Sequence, residues 1–165
     1  MEKLLVSACL MGETVRYNGV AIACRHPLLM AWQDEGRVVR FCPEVAGGLP
    51  VPRSPSEIVG GGGEKVVAGG GRVLSRDGRD VSEAFLSGSR KALEIVRRTG
   101  IRMAIMKDGS PSCGCTRIYD GSFSGVKISG QGVTAALLIS AGVRVFTENQ
   151  IGEAAACLAR LEARG

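Results

Sequence analysis

Leu4-Leu5-Val6-Ser7-Ala8-Cys9 is the stretch on which the fold turns. A short apolar run without polar alternation reads as a strand buried on both faces, the kind found in the middle of a parallel sheet. Three further runs share its character: Val38–Phe41, Met103–Met106 and Val143–Phe146. Helical patterns separate them. His26-Pro27 opens one helix, which runs through Leu28, Leu29, Ala31 and Trp32 to Glu35 and is stopped by Gly36. Asp80 and Glu83 have the spacing of a capping box for the next. That helix carries Ala84, Phe85, Gly88, Ala92, Ile95 and Val96 on one face and charged residues on the other, ending at Gly100. Two more helices follow, Val133–Ser140 and Ile151 to about Arg160.

This alternation predicts right-handed βαβ units in a single-domain α/β fold over 1–165, a Rossmann-like parallel sheet flanked by helices. The Gly/Pro-rich stretch from Pro43 to Gly78 breaks the rhythm and reads as an excursion after the second strand, over one edge of the sheet. A short hairpin pairing Val66-Val67 with Val73-Leu74 is expected within it. Its glycine runs, Gly60–Gly63 and Gly69–Gly71, match neither the P-loop nor the dinucleotide fingerprint, so they read as flexible loop.

The 165 residues suffice for a buried core, and with only seven aromatics the interior must be aliphatic. The net charge of +5 is spread thinly, with no run of five like charges, which suits a solvated surface better than a nucleic-acid face. An anionic or nucleotide-sized ligand is compatible with it. Val6-Ser7-Ala8-Cys9 has the look of a lipoprotein cleavage site, but only five residues separate Lys3 from Cys9. A signal peptide needs an apolar region of roughly 7–15 residues. Export and membrane insertion are therefore not expected, and the cytoplasm is the expected location; association into a homo-oligomer stays open.

Six cysteines in a reducing compartment do not suggest a disulfide framework. Three of them follow strands: Cys9 the first, Cys42 the second, and Cys113 in the loop after the third. In a parallel sheet those loops emerge together at the carboxyl edge, where open α/β folds place their ligands. The fourth strand delivers Thr147 and Glu148 to the same edge. Proline and glycine in Cys42-Pro43-Glu44 and Ser110-Pro111-Ser112-Cys113-Gly114 give these loops the character of side-chain aiming devices. Three thiolates suit zinc or an iron–sulfur cluster. No Cys-x-x-Cys knuckle exists, and the only histidine, His26, reads as a helix-start residue. A cluster held by three cysteines with one iron left open fits better than structural zinc. Cys157 and Cys24 read as buried hydrophobes, and Cys115 as an alternative ligand.

Taken together, Ser-Ala-Cys9-Leu-Met-Gly with Arg16-Tyr17-Asn18-Gly19, Cys42-Pro43-Glu44-Val45-Ala46-Gly47-Gly48-Leu49-Pro50 with Pro52-Arg53, and Ser110-Pro111-Ser112-Cys113-Gly114 resemble the TudS-type thiouracil desulfidase family. Ile118-Tyr119-Asp120-Gly121-Ser122-Phe123 and Gly130-Gln131-Gly132-Val133-Thr134 complete the resemblance, which covers essentially the whole chain. It implies a 4Fe–4S cluster with three protein cysteine ligands, falling on Cys9, Cys42 and Cys113, and one open iron. It also implies redox-neutral desulfuration of thiolated uracils, with Glu44 and either Ser110 or Ser112 as catalytic helpers. Val15 stands where many members have cysteine, Asn18 where they have aspartate, and Cys115 where serine is common.

In that chemistry a soft thiocarbonyl sulfur meets a Lewis-acidic iron, Glu44 acts as general acid–base, and a serine hydroxyl orients the base. Arg16, Arg25, Arg53, Lys107 and Arg117 are candidates to meet a substrate carbonyl or phosphate. The small-molecule partner expected is a thiolated pyrimidine, with no membrane partner. Two rival readings are a non-catalytic redox or sulfur-sensing module, with Cys115 or Cys24 as a fourth ligand, and an RNA-acting protein.

Overall fold

The computed structural model describes all 165 residues. Four strands, β1 (Leu4–Ser7), β2 (Val38–Phe41), β5 (Met103–Ile105) and β8 (Arg144–Phe146), form one sheet in the order β2-β1-β5-β8. Every pairing is parallel; Leu4 lies opposite Val38, Leu5 opposite Ala104 and Met103 opposite Arg144. The order reverses between β1 and β5, which makes that crevice the topological switch point. The expected Rossmann-like sheet is present.

Side chains alternate across the sheet, and the two faces bury different helices. Leu4, Val6, Met103 and Ile105 meet Leu29 and Trp32 of α1 (Pro27–Asp34) and Ile151, Ala154, Cys157 and Leu158 of α6 (Ile151–Ala163). Leu5, Ala104 and Met106 meet Ala92 and Val96 of α4 (Ser82–Thr99) and Leu138 of α5 (Val133–Ser140). The result is a three-layer sandwich. Cys157 belongs to the first core, as its place in the apolar stripe predicts. His26 caps α1, its Nδ1 accepting the Leu28 N–H at 3.2 Å. No helix is long and apolar enough to cross a membrane.

The excursion differs from the expectation in detail. It holds a hairpin, but β4 (Arg72–Ser75) pairs antiparallel with β3 (Ser56–Val59), while Val66-Val67 closes the short helix α3 (Gly63–Val67). The reason is packing: Gly63 lies so close to the Gly132 backbone that a Cβ would sit 2.2 Å from its carbonyl oxygen. Tucked in there, the chain turns into a helix and buries Val66 with Ile58, Val73 and Phe85 in a third core. A second hairpin, β6 (Arg117–Tyr119) with β7 (Lys127–Ser129), adds Ile118 to that core. The expected capping box at α4 does not form, because the helix starts one residue later, with Val81 at its N-cap and no side-chain cap. Asp80 Oδ1 accepts the Ser82 N–H at 2.9 Å, but Glu83 pairs with Arg90 instead of reaching back.

Candidate active site

The carboxyl edge of the sheet opens into a cavity of about 660 Å³. Cys9 enters from a 3-10 turn directly after β1, Cys42 from the residue before the short helix α2 (Pro43–Ala46), and Cys113 from the loop after β5. All three line the cavity, as do Glu44 and Ser110. The backbone packs tightly behind Cys42. A Cβ on Gly88 of α4 would stand 1.8 Å from the Pro43 carbonyl oxygen, so only glycine lets the Cys42 loop lie against the helix. Cys115 and Cys24 are half-buried and do not line the cavity.

The three thiols oppose one another's ionisation. Burial first, then negative charge at Cys42, pushes Cys9 up to about 11, with Arg16 and Lys107 pulling the other way. Burial raises Cys113 strongly; the Ser7 hydroxyl offsets part of this, while charge at Cys9, Cys42 and Glu44 adds to it. Cys42 is also raised by burial, against the N–H groups of Val45 and Glu44, which favour its thiolate. Thiols so placed become thiolates together only if a cation joins them. No three Cys, His, Asp or Glu side chains converge tightly enough to share a single ion. A donor set of three soft ligands, spread around a cavity and in need of positive charge, fits a multinuclear iron–sulfur cluster, in which each thiolate takes its own metal, better than one zinc ion.

Glu44 is held rather than free. Arg53 Nε donates to its Oε1 at 3.2 Å, and the same guanidinium donates to the Pro50 and Val15 carbonyls at 3.1 and 2.9 Å. Burial raises the Glu44 carboxyl despite that neighbour. Lys107 Nζ lies 3.0 Å from Glu148 Oε2 and donates to the Asp108 carbonyl at 2.8 Å. Thr147 is buried, and neither it nor Glu148 lines the cavity.

The two candidate serines have opposite surroundings. Ser112 is fully buried and outside the cavity. Its Oγ lies 3.0 Å from Thr134 Oγ1, which lies 2.9 Å from Ser89 Oγ, which donates to the Phe85 carbonyl at 2.7 Å. A hydroxyl has one proton and a carbonyl can only accept, so the direction is fixed: Ser112 donates to Thr134, and Thr134 to Ser89. The Ser112 proton is thereby committed. Ser110 is the reverse case. Its Oγ accepts the Ser112 and Cys113 N–H groups at 3.1 and 3.0 Å, which leaves its proton without a protein acceptor and the hydroxyl on the cavity wall.

Of the basic candidates, Arg16, Arg53 and Lys107 line the cavity, whereas Arg25 and Arg117 do not. Arg76, Lys127 and Glu57 line it too and were not legible in the sequence, because each is delivered by a hairpin whose partner strand gave no signal.

The fold and the site together define an α/β protein with three thiols, the Glu44 carboxylate and the free Ser110 hydroxyl around one cavity at the switch point of a parallel sheet. The 2-thiouracil desulfurase family model matches residues 4–150. The chain belongs to that family. It is 44% identical over 150 residues to the uncharacterised protein YbbK of Bacillus subtilis (strain 168), a match covering 91% of this chain and 98% of that one. Among solved structures it resembles the [4Fe-4S]-dependent thiouracil desulfidase TudS, with a TM-score of 0.88 and 46% identity, covering 96% of this chain and 99% of that one.

Proposed function

We propose that this chain is a [4Fe–4S]-dependent desulfidase of thiolated uracils, taken as base, nucleoside or nucleotide, that exchanges sulfur for oxygen without net redox change. The balance is one thiocarbonyl and one water in, one carbonyl and one hydrogen sulfide out. The observation that carries the reading is the sharing of one cavity by Cys9, Cys42, Cys113, Glu44 and Ser110. Cys9, Cys42 and Cys113 would hold the cluster, leaving one iron open. When bound, the cluster supplies a thiophilic Lewis acid beside the substrate.

The remaining work falls to the chain. Glu44, oriented by Arg53, takes a proton from water and returns one to a ring nitrogen. Ser110 donates its uncommitted proton to the base, whereas Ser112 serves the loop that carries Cys113. Arg16 and Lys107 supply positive charge beside Cys9.

Cys115 is a poor fourth ligand because it lies outside the cavity that Cys9, Cys42 and Cys113 share. That disfavours the fully ligated sensing module. The test is anaerobic reconstitution, an iron and sulfide count, and sulfide release from a panel of 2- and 4-thiolated uracils. Four irons per chain and sulfide released one-for-one with the oxygenated product are expected. Less than one iron per chain, with activity unaltered by Cys42→Ala, would end the proposal.

A further inference from the structure

Glu57 is a cavity-lining carboxylate for which the reaction just described has no use. It lies on β3 and is 8% exposed. Its Oε1 accepts two backbone N–H groups from the β6–β7 turn, Gly121 at 3.0 Å and Phe123 at 3.2 Å. Phe123 has φ of 55°, in the left-handed region that non-glycine residues rarely enter, and the carboxylate holds it there.

Its Oε2 is different. No hydrogen bond reaches it, and no lysine or arginine pairs with Glu57. Every fully buried side-chain nitrogen or oxygen in the molecule has a partner. The unpartnered Oε2 therefore keeps some accessible surface, and the open space that Glu57 lines is the cavity. A carboxylate oxygen only accepts, and its complement is an N–H or O–H on whatever occupies that space.

We infer that Glu57 is a substrate-recognition residue: Oε1 fixes the β6–β7 turn, and Oε2 accepts a hydrogen bond from an N–H or hydroxyl of the bound pyrimidine. The identity of that molecule rests on the desulfidase reading. Two donors have the required chemistry, a ring N–H of a free base and a sugar hydroxyl of a nucleoside. The contact forms no bond to the sulfur-bearing carbon, so it serves ground and transition states alike, and its loss raises KM without lowering kcat.

Glu57→Gln tests this in the reconstituted holoenzyme. The glutamine carbonyl keeps both backbone N–H groups, and its amide nitrogen replaces Oε2, turning an acceptor into a donor. KM is expected to rise about tenfold or more with kcat within about twofold, the size of effect a charge-assisted hydrogen bond supports. The Gly121 and Phe123 amides should keep their protection from hydrogen exchange. A penalty on thiouracil that is absent for its N1-methyl derivative assigns the ring N–H. A penalty on thiouridine that is absent for the 2′,3′-dideoxy nucleoside assigns the sugar.

Unchanged KM on every substrate, or a fall in kcat alone, overturns the inference. So does a KM increase confined to Glu57→Ala, which loses the turn clamp as well. If the wild-type protein releases no sulfide from any of these, the desulfidase reading has failed on its own. Calorimetric titration of wild-type and Glu57→Gln holoprotein with uracil and uridine then decides the matter. A tenfold affinity loss in the variant supports the acceptor role, and equal affinities refute it.

Discussion

The two ends of the same four strands treat charge in opposite ways. At the amino edge, charged groups satisfy one another. Arg37, almost buried, donates to the Glu2 carbonyl, to Glu35 and to Glu162, the last at 2.7 Å. Arg102 grips the Glu2 carboxylate and the Leu161 carbonyl, and hydrogen bonding from that guanidinium holds the Glu2 carboxyl below its usual range. At the carboxyl edge, burial pushes Glu44 and all three cavity thiols away from their charged forms. A protein surface that lowers its own electrostatic energy is structural. One that keeps ionisable groups in an unfavourable state is waiting for a partner.

The largest break in this contrast should come from a thiol. Cys42→Ala should abolish cluster binding and lower sulfide release by at least about a hundredfold, while the apoprotein keeps its far-ultraviolet circular dichroism. Iron analysis alongside activity checks it. Next come the serines. Ser110→Ala should cut kcat by roughly a hundredfold with the cluster absorption retained. Ser112→Ala should instead cost about 1–3 kcal/mol of stability by leaving Thr134 short of a donor, with kcat changed by only about threefold. Urea unfolding and steady-state rates separate the pair.

The amino edge should answer the other way round. Arg37→Ala should destabilise by about 1–3 kcal/mol and leave kcat and KM as they were. The smallest effect belongs to Glu2. A carboxyl depressed in the folded state contributes stability above its unfolded pKa, and loses it as pH falls through the folded value. Glu2→Gln should therefore trail wild type in denaturant midpoint at pH 7, with the gap closing as pH falls through the lowered folded-state value. A gap that widened in acid would reverse the assignment of the amino edge as a charge-satisfied end.

The parallel sheet and the convergence of Cys9, Cys42 and Cys113 were legible because buried strands announce themselves as aliphatic runs and a parallel sheet sends all their ends to one side. The excursion was not. Ser56–Val59 is a four-residue strand with Glu57 at its centre, and only contact with Arg72–Ser75 makes it one. Gly63 reads as slack in the sequence, whereas in the fold it is the one residue small enough for the gap beside Gly132. The choice between Ser110 and Ser112 was equally hidden. It depends on where protons are committed, and Thr134 and Ser89 enter that question only through tertiary contact.

One turn of α4 has a role that none of its residues shows alone. Gly88 seats the Cys42 loop against Pro43, and Ser89 with Phe85 ends the hydroxyl chain that anchors the Cys113 loop. Two of the three thiol loops thus pack on one helical turn in addition to following their own strands, while Cys9 has only its place after β1. A disturbance of that one helical turn would therefore reach the Cys42 and Cys113 loops together, while the strand end that carries Cys9 is out of its reach.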